Sequence, residues 1–462
     1  MKVLMDSVLQ NKVTPKNKIA VIGLGYVGLP LAVALARHYP VTGYDIDQTR
    51  IDELQQNFDS TKELTPKQLE ESALVCTNQT QALAGQDIYI IAVPTPVNPN
   101  HSPDLTAVQS AAKLVGPILT PGNIVVFEST VYPGVTEDIC GALLEEASGL
   151  KAGKDFYLGY SPERINPGDQ VHTVDKIVKV VAGQTPAVAQ KLAKIYGSIN
   201  NDQVFVAANI KTAEAAKVIE NAQRDINIAF INEITIIFNK AGLSAHEVLK
   251  AAQTKWNFLP FQPGLVGGHC IGVDPYYLAN FAKQNGHNPE VILSGRRIND
   301  HMGQFLAQEI HRKLQNNLGC GQSAQILVLG LTFKEDVPDL RNTKVIDVIH
   351  ELEQHGHTVV VHDPVADVIN AENLYGLSPI REWETIVAHA QAQHYAQASG
   401  GDSNHTQAAG FNAVICAVAH KFYRELTSDT IAALVKPQGL LLDLKGIWSD
   451  LTLPPYVNYW KL

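Results

Sequence analysis

The chain has 462 residues, 45% of them hydrophobic and 18% charged, with a formal net charge of −10. That length exceeds what one ordinary hydrophobic core supports and predicts two or three domains. The negative balance argues against a general binder of nucleic acid or of anionic membrane surfaces, and no apolar run approaches the roughly 18–20 residues that span a bilayer.

The opening segment MKVLMDSVLQNKVTPKNK lacks the apolar core and small-residue cleavage site of a signal peptide. The five cysteines (Cys76, Cys140, Cys270, Cys320, Cys416) are scattered, with no CxxC spacing, so neither a disulfide framework nor a metal site is expected. A reducing, cytoplasmic setting fits best.

The first element is a short apolar strand, Lys18-Ile19-Ala20-Val21-Ile22, running into Gly23-Leu24-Gly25-Tyr26-Val27-Gly28. An apolar helix, LPLAVALARHYP, follows, then a second strand, Val41-Thr42-Gly43-Tyr44, ending at Asp45. Strand, GxGxxG, helix, strand and acid in this order predict a dinucleotide fold. Gly23 and Gly25 let the backbone turn and approach a pyrophosphate, Gly28 lets helix and strand pack closely, and the helix start, with Tyr26 and Val27, offers amide donors. Asp45 is placed to accept from ribose hydroxyls and to repel a 2′-phosphate, favouring NAD; Arg50, five residues on, qualifies that preference.

Further strands are expected in DIYIIAVPTP (87–96), NIVVFEST (123–130) and KIVKVVAG (176–183). Their continuous apolar runs suit a parallel sheet covered on both faces. Ligands bind beyond the carboxyl ends of such strands, where Pro94, Thr95, Ser129 and Thr130 fall. Residues 212–240 then read as one long helix free of Gly and Pro, carrying Lys217 and Asn221 four residues apart on one face. It is long enough to pack against a second subunit.

Next comes Gly267-Gly268-His269-Cys270-Ile271-Gly272-Val273-Asp274-Pro275, one cysteine amid three glycines. It reads either as a reactive thiol or as a plain tight turn. Beyond residue 320 the first domain's rhythm returns: QILVLGLTFK (325–334), TVVVHDP (358–364), NAVICAVAHK (412–421) and LLLDLKG (440–446) predict a second doubly wound domain without the glycine fingerprint. The stretch 389–410, with His389, His394 and His405, reads as a polar surface loop.

A nicotinamide site beside a reactive cysteine suggests oxidation of an aldehyde to an acid. Hydride leaves readily from a tetrahedral thiohemiacetal, so Cys270 would add to the aldehyde and water would release the resulting thioester. Asp274 is close enough in sequence to orient groups at the thiol. Lys217 and Asn221 could stabilise developing oxyanions.

These features resemble the nucleotide-sugar 6-dehydrogenases, the UDP-glucose/GDP-mannose dehydrogenase family. The resemblance rests on VIGLGYVGLP (21–30), PTP (94–96), ESTVYPGVT (128–136), YSPERINPG (160–168), the helix bearing Glu214, Lys217 and Asn221, GGHCIGVDP, and GLTFKEDVPDLRNT (330–343). It implies an NAD-dependent four-electron oxidation of a sugar C6 alcohol to a carboxylate. By the same resemblance Cys270 is the nucleophile, Lys217, Asn221 and Asp274 accompany it, Glu163 acts in thioester hydrolysis and Thr130 helps place water. Glu163, Arg164, Lys217, Asn221, Gly267, His269, Lys334 and Arg341 are the expected substrate contacts. His269 and the run GLVGGHCIGVDPYYL resemble the UDP-N-acetylhexosamine branch, which serves bacterial surface polysaccharides such as capsule and O-antigen.

The expected architecture is α/β: an NAD-binding Rossmann-like domain (1–205), a helical dimerisation domain with the cysteine loop (206–310) and a UDP-sugar-binding Rossmann-like domain (311–462). UDP-N-acetylglucosamine is the expected substrate, with UDP-N-acetylgalactosamine or UDP-glucose as alternatives. A single-hydride hydroxyacid dehydrogenase would need no cysteine, and a non-catalytic sensor would be expected to have lost these residues.

Overall fold

The computed structural model describes residues 17–164, 173–268, 271–392 and 410–462. They form two compact units, one comprising the chain up to Glu220 with Tyr276–Asn285, the other Asn221–Pro275 with Gly286–Leu462.

The first unit is built on eight strands: β1 (Ile19–Ile22), β2 (Val41–Tyr44), β3 (Val75–Thr77), β4 (Ile88–Ile91), β5 (Ile124–Phe127), β6 (Tyr157–Tyr160), β7 (Lys179–Gly183) and β8 (Val204–Val206). Their order in the sheet is β3-β2-β1-β4-β5-β6-β7-β8. The strands are added outward on one side from β1 to β3 and on the other from β4 onward, so the strand order switches between the parallel neighbours β1 and β4, the point at which dinucleotides bind in such sheets. Strands β1, β4 and β5 are apolar at every position and buried on both faces, as expected of a sheet sandwiched between helices.

The strand anticipated in 176–183 is not another parallel member: β7 runs antiparallel to β6, and β8 is parallel to β7. A parallel return needs a crossover, usually a helix, whereas an antiparallel one does not; among the described residues between β6 and β7 there is no helix.

The long helix Ile210–Lys240 matches the expected span. In the second unit the 29-residue helix Glu290–Leu318 leads to a five-stranded sheet. Its strands are β9 (Gln325–Leu329), β10 (Thr358–His362), β11 (Phe411–Cys416), β12 (Val435–Asp443) and β13 (Asn458–Lys461), all parallel in the order β10-β9-β11-β12-β13. Two cores flank it, one including Leu306, Ile326, Ile349 and Leu442, the other Leu327, Phe411, Tyr423 and Trp448.

The polar stretch 389–410 is a loop only in part. A helix, Trp383–Ala392, runs into it, and the His389 ring stacks on Phe411 at 5.7 Å; His394 and His405 lie outside the described residues. Among the described residues no cluster of three or more His, Cys, Asp or Glu could hold a metal ion, and no helix is long and apolar enough to cross a membrane.

Candidate active site

In the first unit, Gly23 adopts φ +94°, and a Cβ there would lie 2.7 Å from Ala92 O. A Cβ on Gly28 would overlap Gly23 O at 1.8 Å, whereas one on Gly25 would meet no protein atom within 4 Å. Gly23 and Gly28 are therefore demanded by the fold itself, while Gly25 faces open space. The helix Gly28–Ala36 starts at Val27 without a side-chain cap, an arrangement in which a ligand phosphate can take the capping role.

Asp45 Oδ2 accepts from Leu24 N–H at 2.8 Å. Arg50 Nε donates to Leu24 O at 2.9 Å, bracing the same loop residue from beneath. The Arg50 guanidinium is buried and spent on Asp59 (2.7 Å) and Glu53 (3.2 Å), so it stands as a support of the loop, not as an open cation for a 2′-phosphate. Uncapped amides, a bare Gly25 and a carboxylate at the end of β2 suit NAD.

At the ends of β4 and β5 the chain is cross-stitched. Ser129 Oγ donates to Val93 O (2.6 Å), Thr95 Oγ1 donates to Thr130 O (2.7 Å), and Tyr160 OH donates to Ser129 O (3.2 Å). Pro94 is exposed at this edge. Glu163, just past β6, is buried; one of its oxygens accepts from Arg164 N–H at 2.6 Å and the other faces Lys179 Nζ at 2.9 Å. Arg164 pairs with Glu220 at 2.9 Å.

Glu214 is buried and accepts from Gly134 N–H (2.7 Å) and Thr136 N–H (2.9 Å), anchoring the turn that follows Thr130. Burial pushes its carboxyl up to about 7 against the pull of these donors. Lys217, one turn further along the helix, is also buried.

In the second unit Asn221 Nδ2 donates to Asp274 Oδ2 at 2.6 Å, both side chains being buried. Cys270 and His269 lie outside the described residues. The glycines before them do something the sequence did not suggest. A Cβ on Gly267 would lie 2.5 Å from Asn342 O, and one on Gly268, at φ +85°, would lie 2.7 Å from the Phe333 ring. The two glycines admit the close approach of the 333–344 segment, and Gly268 N–H donates to Asn342 O at 3.2 Å.

That segment extends a motif shared by the two sheets. Gly23 N–H donates to Tyr44 O and Gly330 N–H to His362 O, both at 2.8 Å. Asp363 stands at the end of β10 as Asp45 does at the end of β2, its Oδ2 accepting from Leu331 N–H (2.7 Å) and Thr332 N–H (3.0 Å). In the second sheet, though, 14 residues intervene between Gly330 and the helix Val345–Gln354, and they carry Lys334 and Arg341. Arg341 is exposed and its guanidinium is held by Asp339 at 2.6 Å; Lys334 is half-buried. Buried His420 accepts from Asp336 N–H at Nδ1 (2.9 Å) and faces Asp363 Oδ2 with Nε2 (3.2 Å), fixing the loop from below.

Three domain models of the UDP-glucose/GDP-mannose dehydrogenase family match in order: the NAD binding domain over residues 17–200, the central domain over 211–301 and the UDP binding domain over 327–450. The chain belongs to this family. It is similar to Protein CapL of Staphylococcus aureus, with 48% identity over 96% of this chain and 100% of that protein. It is also similar to the UDP-N-acetyl-D-glucosamine 6-dehydrogenase of Pseudomonas aeruginosa, with 46% identity over 94% of this chain and 97% of that one. Among solved structures, UDP-D-ManNAc dehydrogenase from Pyrococcus horikoshii superposes with a TM-score of 0.82 at 28% identity, covering 96% of this chain and 98% of that one.

Family membership makes the chain an NAD-dependent nucleotide-sugar dehydrogenase with two Rossmann-like domains. The glycine loop, Asp45 and the Lys217–Asn221 pair were legible in the sequence. Lys179 and the Asp363–His420 support were not. The signal for Lys179 was present as a lone cation interrupting the apolar run KIVKVVAG.

Proposed function

We propose that this chain oxidises the C6 alcohol of UDP-N-acetylglucosamine to the uronic acid, releasing four electrons to two NAD, for bacterial surface polysaccharide. The observation that carries the reading is the near-full-length, 46% identical UDP-N-acetyl-D-glucosamine 6-dehydrogenase. The division into residues 1–205, 206–310 and 311–462 is part of it, supported by the three family models, each beginning and ending within one of these segments.

NAD, when bound, supplies the hydride acceptor for both oxidations. Gly23, Gly25, Gly28 and the helix start hold its pyrophosphate, Asp45 its ribose, and Pro94, Thr95, Ser129 and Thr130 line the strand ends beside it. Lys334 and Arg341 hold the nucleotide diphosphate. Cys270 Sγ adds to the C6 aldehyde produced by the first oxidation, and the thiohemiacetal loses the second hydride to become a thioester. Lys217 and Asn221 stabilise the C6 oxyanion; Asp274, through its bond to Asn221, holds that amide in place. Glu163 accepts a proton from the water that hydrolyses the thioester, with Thr130 placing it. Arg164, Gly267 and His269 complete the sugar contacts.

The enzyme acts as a cytoplasmic homodimer. On the helix Ile210–Lys240, Phe230 and Ile237 are exposed one heptad apart, on the face that also carries Ile226, a stripe suited to a twofold helix contact.

The test is NADH release from the purified protein given NAD and, separately, UDP-N-acetylglucosamine, UDP-N-acetylgalactosamine, UDP-N-acetylmannosamine, UDP-glucose and GDP-mannose. Two NADH per UDP-N-acetylglucosamine, with the others turned over at least tenfold more slowly, is the expected result. A preference for another sugar overturns the substrate, and one NADH per sugar overturns the thioester mechanism.

A further inference from the structure

Strands β5 and β6 are parallel, so both end at the same edge of the sheet, with Glu128 directly after β5 and Glu163 three residues after β6. Because β7 runs the other way, it begins at that edge, and its first residue is Lys179. The single antiparallel step therefore brings a lysine between two carboxylates. Lys179 Nζ lies 2.7 Å from Glu128 Oε2, 2.9 Å from Glu163 Oε2 and 3.4 Å from Pro162 O.

All three residues are buried, with Lys179 and Glu128 each 1% exposed and Glu163 7%. The Tyr196 ring, itself fully buried, lies 5.5 Å from Nζ. Burial works against the lysine's charge, but Glu128 and Glu163 outweigh it and hold the ammonium above its ordinary value. Burial raises the Glu128 carboxyl, with Lys179 pulling it back.

A buried charge cluster of this kind is weak evidence for stability, because desolvation offsets much of the attraction and apolar replacements are often neutral or better. Its distinctive consequence is directional. One Glu163 oxygen is tied to Lys179 and the other to Arg164 N–H. The carboxylate is thereby held in one orientation.

We propose that Lys179 is a positioning residue for thioester hydrolysis, fixing Glu163 as the oriented base that activates water. This rests on the role given to Glu163 above. In the step concerned, water oxygen bonds to the thioester carbon while Glu163 takes the water proton. The C–S bond then breaks with its electron pair, regenerating the Cys270 thiolate and leaving the sugar carboxylic acid, whose remaining proton passes to solvent to give the carboxylate. Both hydrides have already gone to NAD, so no further oxidant is needed. Glu128 balances the lysine from the far side and takes no proton from water.

The test follows NADH on the millisecond scale, with intact-protein mass measured in parallel, for the wild-type protein, Glu163→Gln, Lys179→Met, Lys179→Arg and Glu128→Gln. Lys179→Met is expected to release two NADH per active site in a burst and then turn over about 100-fold more slowly, within the range for loss of a general base. The covalent sugar adduct should accumulate, as in Glu163→Gln, and Lys179→Arg should restore turnover to within about tenfold. A folded Lys179→Met with no burst and no adduct overturns the proposal, since a purely structural lysine would slow every step alike. If Lys179→Met does not fold, Glu128→Gln decides: with Lys179 still on Glu163 it should hydrolyse without a burst, and a burst there overturns the proposal. Absence of the adduct in Glu163→Gln refutes the hydrolysis role of Glu163 itself, and the proposal with it.

Discussion

Gly25 and Gly28 sit three residues apart in one loop, yet alanine at each should act in opposite ways on the fold. At Gly28 the new Cβ would sit 1.8 Å from Gly23 O and 2.9 Å from Gly23 C, a backbone clash that no rotamer relieves. Overpacking of this kind costs about 1–3 kcal/mol. At Gly25 the Cβ meets no protein atom within 4 Å, so the fold should tolerate alanine, or gain about 0.4–1 kcal/mol from a less flexible unfolded chain. Both substitutions should weaken NAD, for different reasons. Gly28→Ala displaces the loop whose amides hold the pyrophosphate, while Gly25→Ala places a methyl where the ligand approaches. A loss of about 1–3 kcal/mol corresponds to roughly 5- to 150-fold in affinity. The assay is calorimetric NAD titration beside thermal unfolding with and without NAD, which reports binding as a rise in midpoint. The expected pattern is a lowered apo midpoint for Gly28→Ala alone and weakened NAD for both. Gly25→Ala binding NAD within twofold of the wild type would refute the idea that this backbone atom faces the cofactor.

Replacing Arg50 by Met strands the buried Asp59 carboxylate. Loss of one partner from a buried pair costs about 3–5 kcal/mol, and the lower end is expected because Thr61, Glu63 and Leu64 also donate to Asp59. Urea unfolding measures this, and the NAD-over-NADP preference should persist. His357 is pushed down to about 4, first by burial and then by His311 and His355; its Nδ1 accepts from Ala324 N–H at 3.1 Å. A group depressed in the folded state contributes stability that is full above its unfolded value near 6.5 and lost as pH falls toward 4. The wild-type unfolding free energy should therefore drop between pH 6.5 and 4, and His357→Asn should remove up to about 1.4 kcal/mol per pH unit of that slope. Urea titrations across this range check it, with residual slope expected from His362, which burial also pushes down to about 4. Phe230→Arg on the exposed helix stripe should halve the mass seen by light scattering; an unchanged mass places any dimer contact elsewhere.

Local chemistry made much of this protein readable without coordinates. The glycine loop with an acid at the end of the next strand is a contiguous pattern, and its partners are set by hydrogen bonds along neighbouring strands, so Gly23, Gly28 and Asp45 could be placed from spacing alone. The 31-residue helix was equally legible, since a long span without Gly or Pro has few other conformations. That Lys217 and Asn221 share a helix face follows from their spacing of four.

Contacts between residues far apart in sequence were decided only by the tertiary structure. Strand direction is one: KIVKVVAG has the same apolar content whether it runs parallel or antiparallel, yet its direction determines that Lys179 meets Glu128, 51 residues earlier. The glycines of GGHC are another, because a glycine permits close approach without naming what approaches, and here it is Phe333 and Asn342. Arg50 is the third: its charge was visible in sequence, but that charge could be assigned to Asp59 rather than to a cofactor phosphate only once the fold had buried both. Periodicity and motif spacing report the geometry of one segment. The use made of a charge or a bare backbone depends on which segment the fold brings against it.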